Sequence, residues 1–200
     1  MGVEDSQNNT GINRDTLNYC YPKIYINVAM TVAQTIILML LLKTAPQDLP
    51  YSISLMGRLI FLYFISGIVV VVGLVEPSLA IGRMLLNIGI ILVFSYVVLS
   101  SLNLSTRFVQ MVTALVGTGI VFNLLAWPVL SYGDMEKESA AAIQILSMFV
   151  LMLISWEILV TAHILRNALS TKMTQAVILS MALFFVTLTL SQLVLPESSS

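Results

Sequence analysis

Charged residues are scarce in this 200-residue chain. Nine Lys and Arg and ten Asp and Glu make up 10% of it, against roughly 25% in soluble domains. Hydrophobic residues make up 58%. A water-soluble fold of this size needs a larger polar surface than the chain can supply. The composition therefore excludes a soluble protein and indicates one whose solvent is a lipid bilayer.

Cysteine, surplus positive charge and catalytic motifs are lacking as well. The single cysteine, Cys20, excludes an internal disulfide and a thiolate metal centre. A formal net charge of −1 provides no basic surface for nucleic acid. The sequence has no HExxH, P-loop, Rossmann or GxSxG motif. We therefore expect no enzyme activity, no cofactor, no bound metal and no nucleic-acid partner.

The first 22 residues differ from the rest, because they are rich in Asn, Asp, Gly and Ser and have few large apolar side chains. Such a segment cannot bury enough apolar surface to offset the entropy lost on ordering. The sequence therefore predicts a disordered tail at 1–22, a single transmembrane helical domain at 23–196 and a short C-terminal tail at 197–200.

Charge-free runs follow the tail, at 24–42, 59–75, 84–106, 108–133, 139–156 and 173–196. A helix needs about 20 residues to cross roughly 30 Å of hydrocarbon, and these runs lack the strict alternation of barrel strands. They predict an all-α, polytopic membrane bundle. The expected transmembrane helices are five, at about 56–76, 81–101, 107–130, 141–165 and 173–195.

The first run carries a polar stripe, because Asn27, Thr31, Gln34 and Thr35 fall on one side of a helix. Two prolines in the following TAPQDLP segment then break the helix. This pattern favours an amphipathic or interfacial helix that precedes the five spans. A conventional spanning helix is the alternative.

The distribution of positive charge favours five spans and sets their orientation. With five spans, seven of the nine Lys and Arg residues fall on one side, whereas six spans give five against four. By the positive-inside rule the richer side is cytoplasmic. We therefore expect an integral, multi-pass protein of the cell (inner) membrane with a cytoplasmic N-terminus and an external C-terminus.

Glu157 is the one acidic residue that the predicted spans place deep in the membrane. Its distance from Arg166 corresponds to about 13 Å of helix rise. Thr161 lies one turn away on the same face, and the candidate partners on other helices are Asn87, Asn123, Arg58 and Tyr63. A buried acid can relay a proton or cation, or can hold helices together as a structural, protonated hydrogen-bonding group.

Two further polar groups lie at the predicted membrane interfaces. His163, Arg166 and Asn167 continue one helix face to the cytoplasmic side, as a helix end with a snorkelling arginine or as a lipid-phosphate or partner site. A lone histidine lacks the ligand set of a zinc centre. Glu76 and Arg83 flank the first outer turn, where we expect an ion pair.

Three stretches together resemble the Yip1-type (Ypt-interacting-protein) superfamily of five-span membrane proteins, which has many bacterial members. They are LLKTAPQDLPYSISL (41–55), STRFVQMVTALVGTGIVFNLLAWP (105–128) and SWEILVTAHILRNALSTKMTQAVILS (155–180). The resemblance runs from about residue 41 to 195. It implies five spans, a cytoplasmic N-terminus and an outward C-terminus.

Eukaryotic members of that family bind Rab-type GTPases and have an Asp-Leu-Tyr-Gly-Pro stretch before the first span. Only Asp48, Leu49 and Pro50 stand in a comparable place here, so the resemblance does not extend to GTPase binding. It is closer to the bacterial branch, whose activity it does not supply.

Two functions follow from these features as expectations. The first is a non-enzymatic scaffold, assembly or trafficking-type helper that contacts other membrane proteins, or a second copy of itself, through its helix faces. The alternative is a small transporter or channel with Glu157 as its proton or cation site.

Overall fold

A computed structural model describes residues 31–72, 77–131 and 140–194. Over these ranges it contains five helices long and apolar enough to cross a membrane, after one shorter apolar helix. They are α1 (Thr31–Leu40) and α2 (Ile53–Val71), α3 (Pro77–Ser101), α4 (Phe108–Ser131), α5 (Ala140–Leu169) and α6 (Met173–Val194). This architecture confirms the predicted all-α membrane bundle of five spanning helices preceded by a short helix.

The chain divides into two compact units, Met1–Gln34 and Thr35–Ser200. Only residues 31–34 of the first unit are described, and they form the start of α1. All contacts reported below lie within the second unit. The predicted tails at 1–22 and 197–200 fall outside the described residues.

Two helices begin earlier than the hydrophobic runs predict, and local residues explain both starts. Ser52 caps α2, because its Oγ accepts a hydrogen bond of 3.2 Å from the Leu55 amide. Pro77 begins α3, where its fixed φ suits the first turn and its missing N–H costs nothing. The C-terminus of α5 also extends further than predicted, to Leu169 rather than to residue 165.

Helix α4 is the central helix of the second unit. In an apolar 18-residue stretch of this helix, 56% of the residues are buried, against 11–22% in the corresponding stretches of the other four spanning helices. It packs against α2, α3 and α5, while α6 packs against α3 and α5. Two α4 glycines allow neighbouring helices to approach closely: a Cβ on Gly117 would lie 2.8 Å from Cδ1 of Ile36 in α1, and one on Gly119 would lie 2.6 Å from the Tyr63 ring in α2.

The connections at 41–52, 102–107 and 170–172 lie together at one end of the bundle, here named the capped end. Each helix that finishes there ends on a left-handed residue: Leu42 (φ 60°), Asn103 (φ 57°) and Ser170 (φ 54°). The next amide in each case bonds back to a carbonyl of the last turn, as in the Schellman motif. The opposite end, where α3 and α5 begin, is named the far end.

Candidate functional site

All five spanning helices line one cavity of about 270 Å³, here named the central cavity. Each helix contributes at least one polar side chain to its wall. These side chains are Tyr63 from α2, Asn87 from α3, Thr118 from α4, Glu157 and Thr161 from α5, and Ser180 and Thr187 from α6. Polar side chains that are scattered along the sequence therefore converge on one chamber inside the membrane-spanning region.

Helical spacing explains how each element places its side chains there. Glu157 and Thr161 are four residues apart and so share one face of α5. Ser180 and Thr187 are seven apart, two turns along one face of α6. Tyr63 reaches the chamber because its ring occupies the space that a side chain at position 119 would fill.

Among the described residues, Glu157 supplies the one carboxylate that lines the central cavity. It lies close enough to the Tyr63 hydroxyl to act on it electrostatically, and Asn87 lies within hydrogen-bonding reach of the same hydroxyl. Among the residues that the structure describes, no hydrogen bond or ion pair to the Glu157 carboxylate is found.

Two hydroxyl groups in the wall of the central cavity, those of Thr118 and Ser180, act as acceptors towards the chamber. Thr118 donates to the Ala114 carbonyl at 2.9 Å, and Ser180 donates to the Val177 carbonyl at 2.9 Å. A hydroxyl whose proton is held by its own helix offers its lone pairs to other groups. The central cavity therefore combines one carboxylate with oxygen acceptors, a set suited to a cation or to a ligand rich in donors.

Two smaller cavities adjoin the central one on the far-end side. The α3–α6 cavity, of about 190 Å³, shares Asn87 and Thr187 with it and is also lined by Arg83. The α4–α5 cavity, of about 230 Å³, shares Phe122 and Glu157 with it. Void space thus continues from the central cavity towards the far end.

The half of the bundle near the capped end is packed closely instead. Apolar side chains of α4 and α5 there are almost completely buried, including Met111, Val112, Ile164 and Leu165. The central cavity therefore lies between a closely packed half and a half that contains two further cavities.

Asn123 occupies a different place from its predicted partners. Its Nδ2 donates to Ser66 Oγ at 3.0 Å, and that hydroxyl donates to the Tyr63 carbonyl. It meets Glu157 only across the α4–α5 cavity, whereas Asn87 and Thr161 share the central cavity with the acid. Thr118 was not predicted to join the site, because nothing in its own span distinguishes it from a packing residue.

The predicted interface patch at His163, Arg166 and Asn167 belongs largely to a structural cap. Nε2 of His163 lies 3.0 Å from the Thr44 carbonyl, and the Asn167 carbonyl accepts a 2.7 Å bond from Gln47. Arg166 is exposed. The segment after α1 is therefore held on the end of α5 by polar contacts.

Arg107 and Gln110 complete this cap from the start of α4. Arg107 Nη1 donates to the Ala168 carbonyl and to Ser170 Oγ, both at 3.0 Å. Gln110 Nε2 donates to the Leu49 carbonyl at 2.9 Å. Free carbonyls at the end of α5 and in the 44–50 segment thus gain side-chain donors, which exposed helix ends require.

The remaining sequence predictions concern an ion pair and metals. Glu76 lies outside the described residues, so its pairing with Arg83 stays a prediction. In the described ranges, no group of three or more His, Cys, Asp and Glu side chains could hold a metal ion.

Comparison with protein families, curated proteins and solved structures finds no match to this chain.

Proposed function

We propose that the protein is a small, non-enzymatic transporter or channel in which Glu157 binds the transported proton or cation. One observation carries this proposal: the central cavity takes polar side chains from all five spanning helices, and Glu157 is the one carboxylate among the described residues that line it. A carboxylate inside a membrane costs several kcal/mol unless it is paired or faces a water-filled space. A chamber around an acid without a described hydrogen-bond partner supports transport over a purely structural role.

The cavities support a route from the far end to Glu157. The α4–α5 cavity reaches Glu157 itself, and the α3–α6 cavity meets the central cavity at Asn87 and Thr187. The closely packed α4–α5 contacts near the capped end close the opposite side. In this proposal, release on the capped side requires those helices to separate.

Flux measurements in liposomes test the proposal directly. The purified full-length protein is reconstituted into vesicles that hold a pH-sensitive dye and a high potassium concentration. Valinomycin lets potassium leave, which makes the lumen negative and drives protons inward. Wild type should acidify the lumen, while Glu157→Gln, which keeps the shape but loses the charge, should reduce the rate to that of empty vesicles. Ser155→Ala is the matched control, because Ser155 is exposed and bonds only its own helix at the Leu151 carbonyl.

Equal flux in Glu157→Gln and wild type would refute a transport role for this acid. A Glu157→Leu variant further distinguishes a transport role of this acid from a structural one. A structural acid is often replaceable by an apolar residue with little loss of stability, whereas a transport site loses function on that change.

The scaffold or assembly role is the second candidate, and a groove on the exposed side of α2 favours it. Ser54, Gly57, Arg58, Phe61 and Leu62 line this groove. A Cβ on Gly57 would meet nothing within 4 Å, so a partner helix could approach α2 closely. Crosslinking mass spectrometry in mild detergent tests this role, and a strictly monomeric particle without a copurifying protein would count against it.

We also infer that the capped end faces the cytoplasm of a bacterial inner membrane. Positive charge supports this orientation, since Lys43, Arg107, Arg166 and Lys172 belong to the capped end, while Arg83 lies near the far end. The same orientation is implied by the resemblance to five-span Yip-like proteins.

A further inference from the structure

The geometry points to a small organic ammonium ion, rather than a divalent metal ion or a proton alone, as the ligand of the central cavity. This inference rests on the proposed function and names the class of cation that the site takes. Volume, wall chemistry and the route of access each contribute to it.

The volume of the central cavity exceeds what a proton site requires. One water needs about 10–15 Å³ of cavity space, and the central cavity has about 270 Å³. A proton relay needs only a file of waters or side chains, whereas binding pockets for small organic molecules start at roughly 300 Å³. The chamber is therefore close to the size of a pocket for a small organic molecule.

The wall combines one negative charge with aromatic rings. Tyr63, Phe122 and Phe184 line the same cavity as Glu157, together with apolar side chains such as Leu115 and Leu183. Aromatic faces attract organic ammonium groups through their quadrupoles, and the attraction grows when water is excluded. The carboxylate can neutralise the charge while the rings and leucines contact the apolar substituents.

A divalent metal ion fits this wall poorly. Calcium and magnesium need about six or more oxygen ligands at roughly 2.0–2.6 Å, usually with several carboxylates among them. Here a single carboxylate faces hydroxyl groups that belong to separate helices, and the described residues contain no cluster of three acidic, His or Cys side chains.

The α4–α5 cavity provides an access route of matching character. Apart from Asn123 and Glu157, its wall consists of apolar side chains: Phe122, Ala126, Val129, Val150, Leu153 and Ile154. A hydrated inorganic ion loses its water on such a path at high cost, whereas a cation with an apolar body crosses it more easily. Phe122 lines both this path and the central cavity, and its ring packs edge-on against Trp156, with centroids 5.5 Å apart.

Calorimetric titration of the purified full-length protein in detergent tests the inference. Tetraethylammonium chloride is the probe, and sodium chloride at equal ionic strength is the reference. Wild type should bind tetraethylammonium saturably at pH 8 and show no saturable sodium binding. Glu157→Gln should weaken the dissociation constant at least tenfold, and acidification of the wild type should weaken it too, because protons compete for the carboxylate.

Phenylalanine-to-leucine variants provide a matched comparison. Phe184→Leu removes the aromatic face from the cavity but keeps an apolar side chain, so tetraethylammonium should bind several-fold more weakly. Phe149→Leu on α5 is the control, because Phe149 is 37% exposed and outside the cavity wall, and this variant should bind as wild type does. Phe185→Leu tests whether the edge-on packing of Phe185 against Phe184 matters. Size-exclusion profiles and helix content are compared first, so that a folding defect is recognised.

The outcomes separate this inference from the proposed function. Absence of tetraethylammonium binding, or equal binding by wild type and Glu157→Gln, would overturn the ammonium site even if Glu157→Gln abolishes proton flux. Binding that depends on Glu157 and Phe184 would support the site, and if neither protons nor tetraethylammonium cross the liposome membrane, the transport proposal alone falls.

Discussion

At the scale of single residues, two glycines of similar helical setting have opposite surroundings. A Cβ on Gly119 would come within 2.6 Å of the Tyr63 ring, while one on Gly89 would meet nothing within 4 Å. The first glycine therefore determines where Tyr63 lies and so the shape of the central cavity, whereas the second has no such role.

Gly119→Ala should lower the free energy of unfolding by about 1–3 kcal/mol, because the tyrosine ring must move to admit the methyl group. Gly89→Ala should leave stability unchanged or slightly raised. Unfolding in SDS, followed by circular dichroism in mixed micelles, measures both. A Gly119→Ala protein as stable as Gly89→Ala would contradict the packing described for α2 and α4.

Asn103 ends α3 with φ 57° and an exposed side chain. Glycine adopts this conformation freely and asparagine tolerates it, but a β-branched residue does so only at a cost. Asn103→Gly should therefore be close to neutral, and Asn103→Val should destabilise the protein by about 1–2 kcal/mol. The same SDS titration compares the two, and equal stabilities would show that α3 does not end in the left-handed turn.

At the scale of elements, the capped end joins three parts of the chain that have no local reason to meet. The 44–50 segment, the start of α4 and the end of α5 are linked by Gln47, Arg107, Gln110 and His163. Trp156 adds a further link, because its indole N–H donates to the Leu40 carbonyl at the end of α1 at 3.1 Å. These contacts hold α1 and its connection on the bundle.

Arg107→Ala should destabilise the protein by about 2 kcal/mol or more, since each hydrogen bond from a charged group contributes roughly 1.5–3 kcal/mol. Arg107→Lys should recover only part of this loss, because an ammonium group cannot reproduce the fork of a guanidinium. Arg166→Ala is the control: Arg166 is exposed at the same end, and its loss should cost less than about 0.5 kcal/mol. Equal effects of the two alanine variants would mean that Arg107 contributes only its charge.

At the scale of the whole molecule, the scarce charges are unevenly distributed between the two ends, and the orientation that they favour can be measured. Cys20 is the only cysteine, so a Cys20→Ser background accepts single reporters. Thr106→Cys marks an exposed position at the capped end, and Ser78→Cys marks an exposed position at the start of α3.

A membrane-impermeant maleimide applied to intact cells should label Ser78→Cys and leave Thr106→Cys unlabelled until the cells are opened. Ser78 and Thr106 are both exposed, so whether the reagent reaches each position depends on the side of the membrane on which that position lies. Labelling of Thr106→Cys in intact cells would reverse the proposed orientation.

The sequence predicts well those features that depend on local periodicity. The six charge-free runs, together with the polar stripe of the first run and the distribution of positive charge, predict five spans after a short helix, and helical spacing predicts the shared face of Glu157 and Thr161. It cannot predict that Thr118 and Ser180 meet Glu157, or that Gln47 meets Asn167, 120 residues later. Those contacts depend on which helices pack together, and hydrophobic periodicity contains no information on that choice.

The capped end also has a consequence for the order in which the protein assembles in the membrane. Gln47 and Thr44 find their partners, Asn167 and His163, only after about 120 more residues have been synthesised. Until α5 has inserted, the 44–50 segment lacks those partners and Arg107 has no helix end to bind. Closure of the cap therefore marks the completion of insertion through α5, and a chain truncated before α5 keeps the 44–50 segment without these partners.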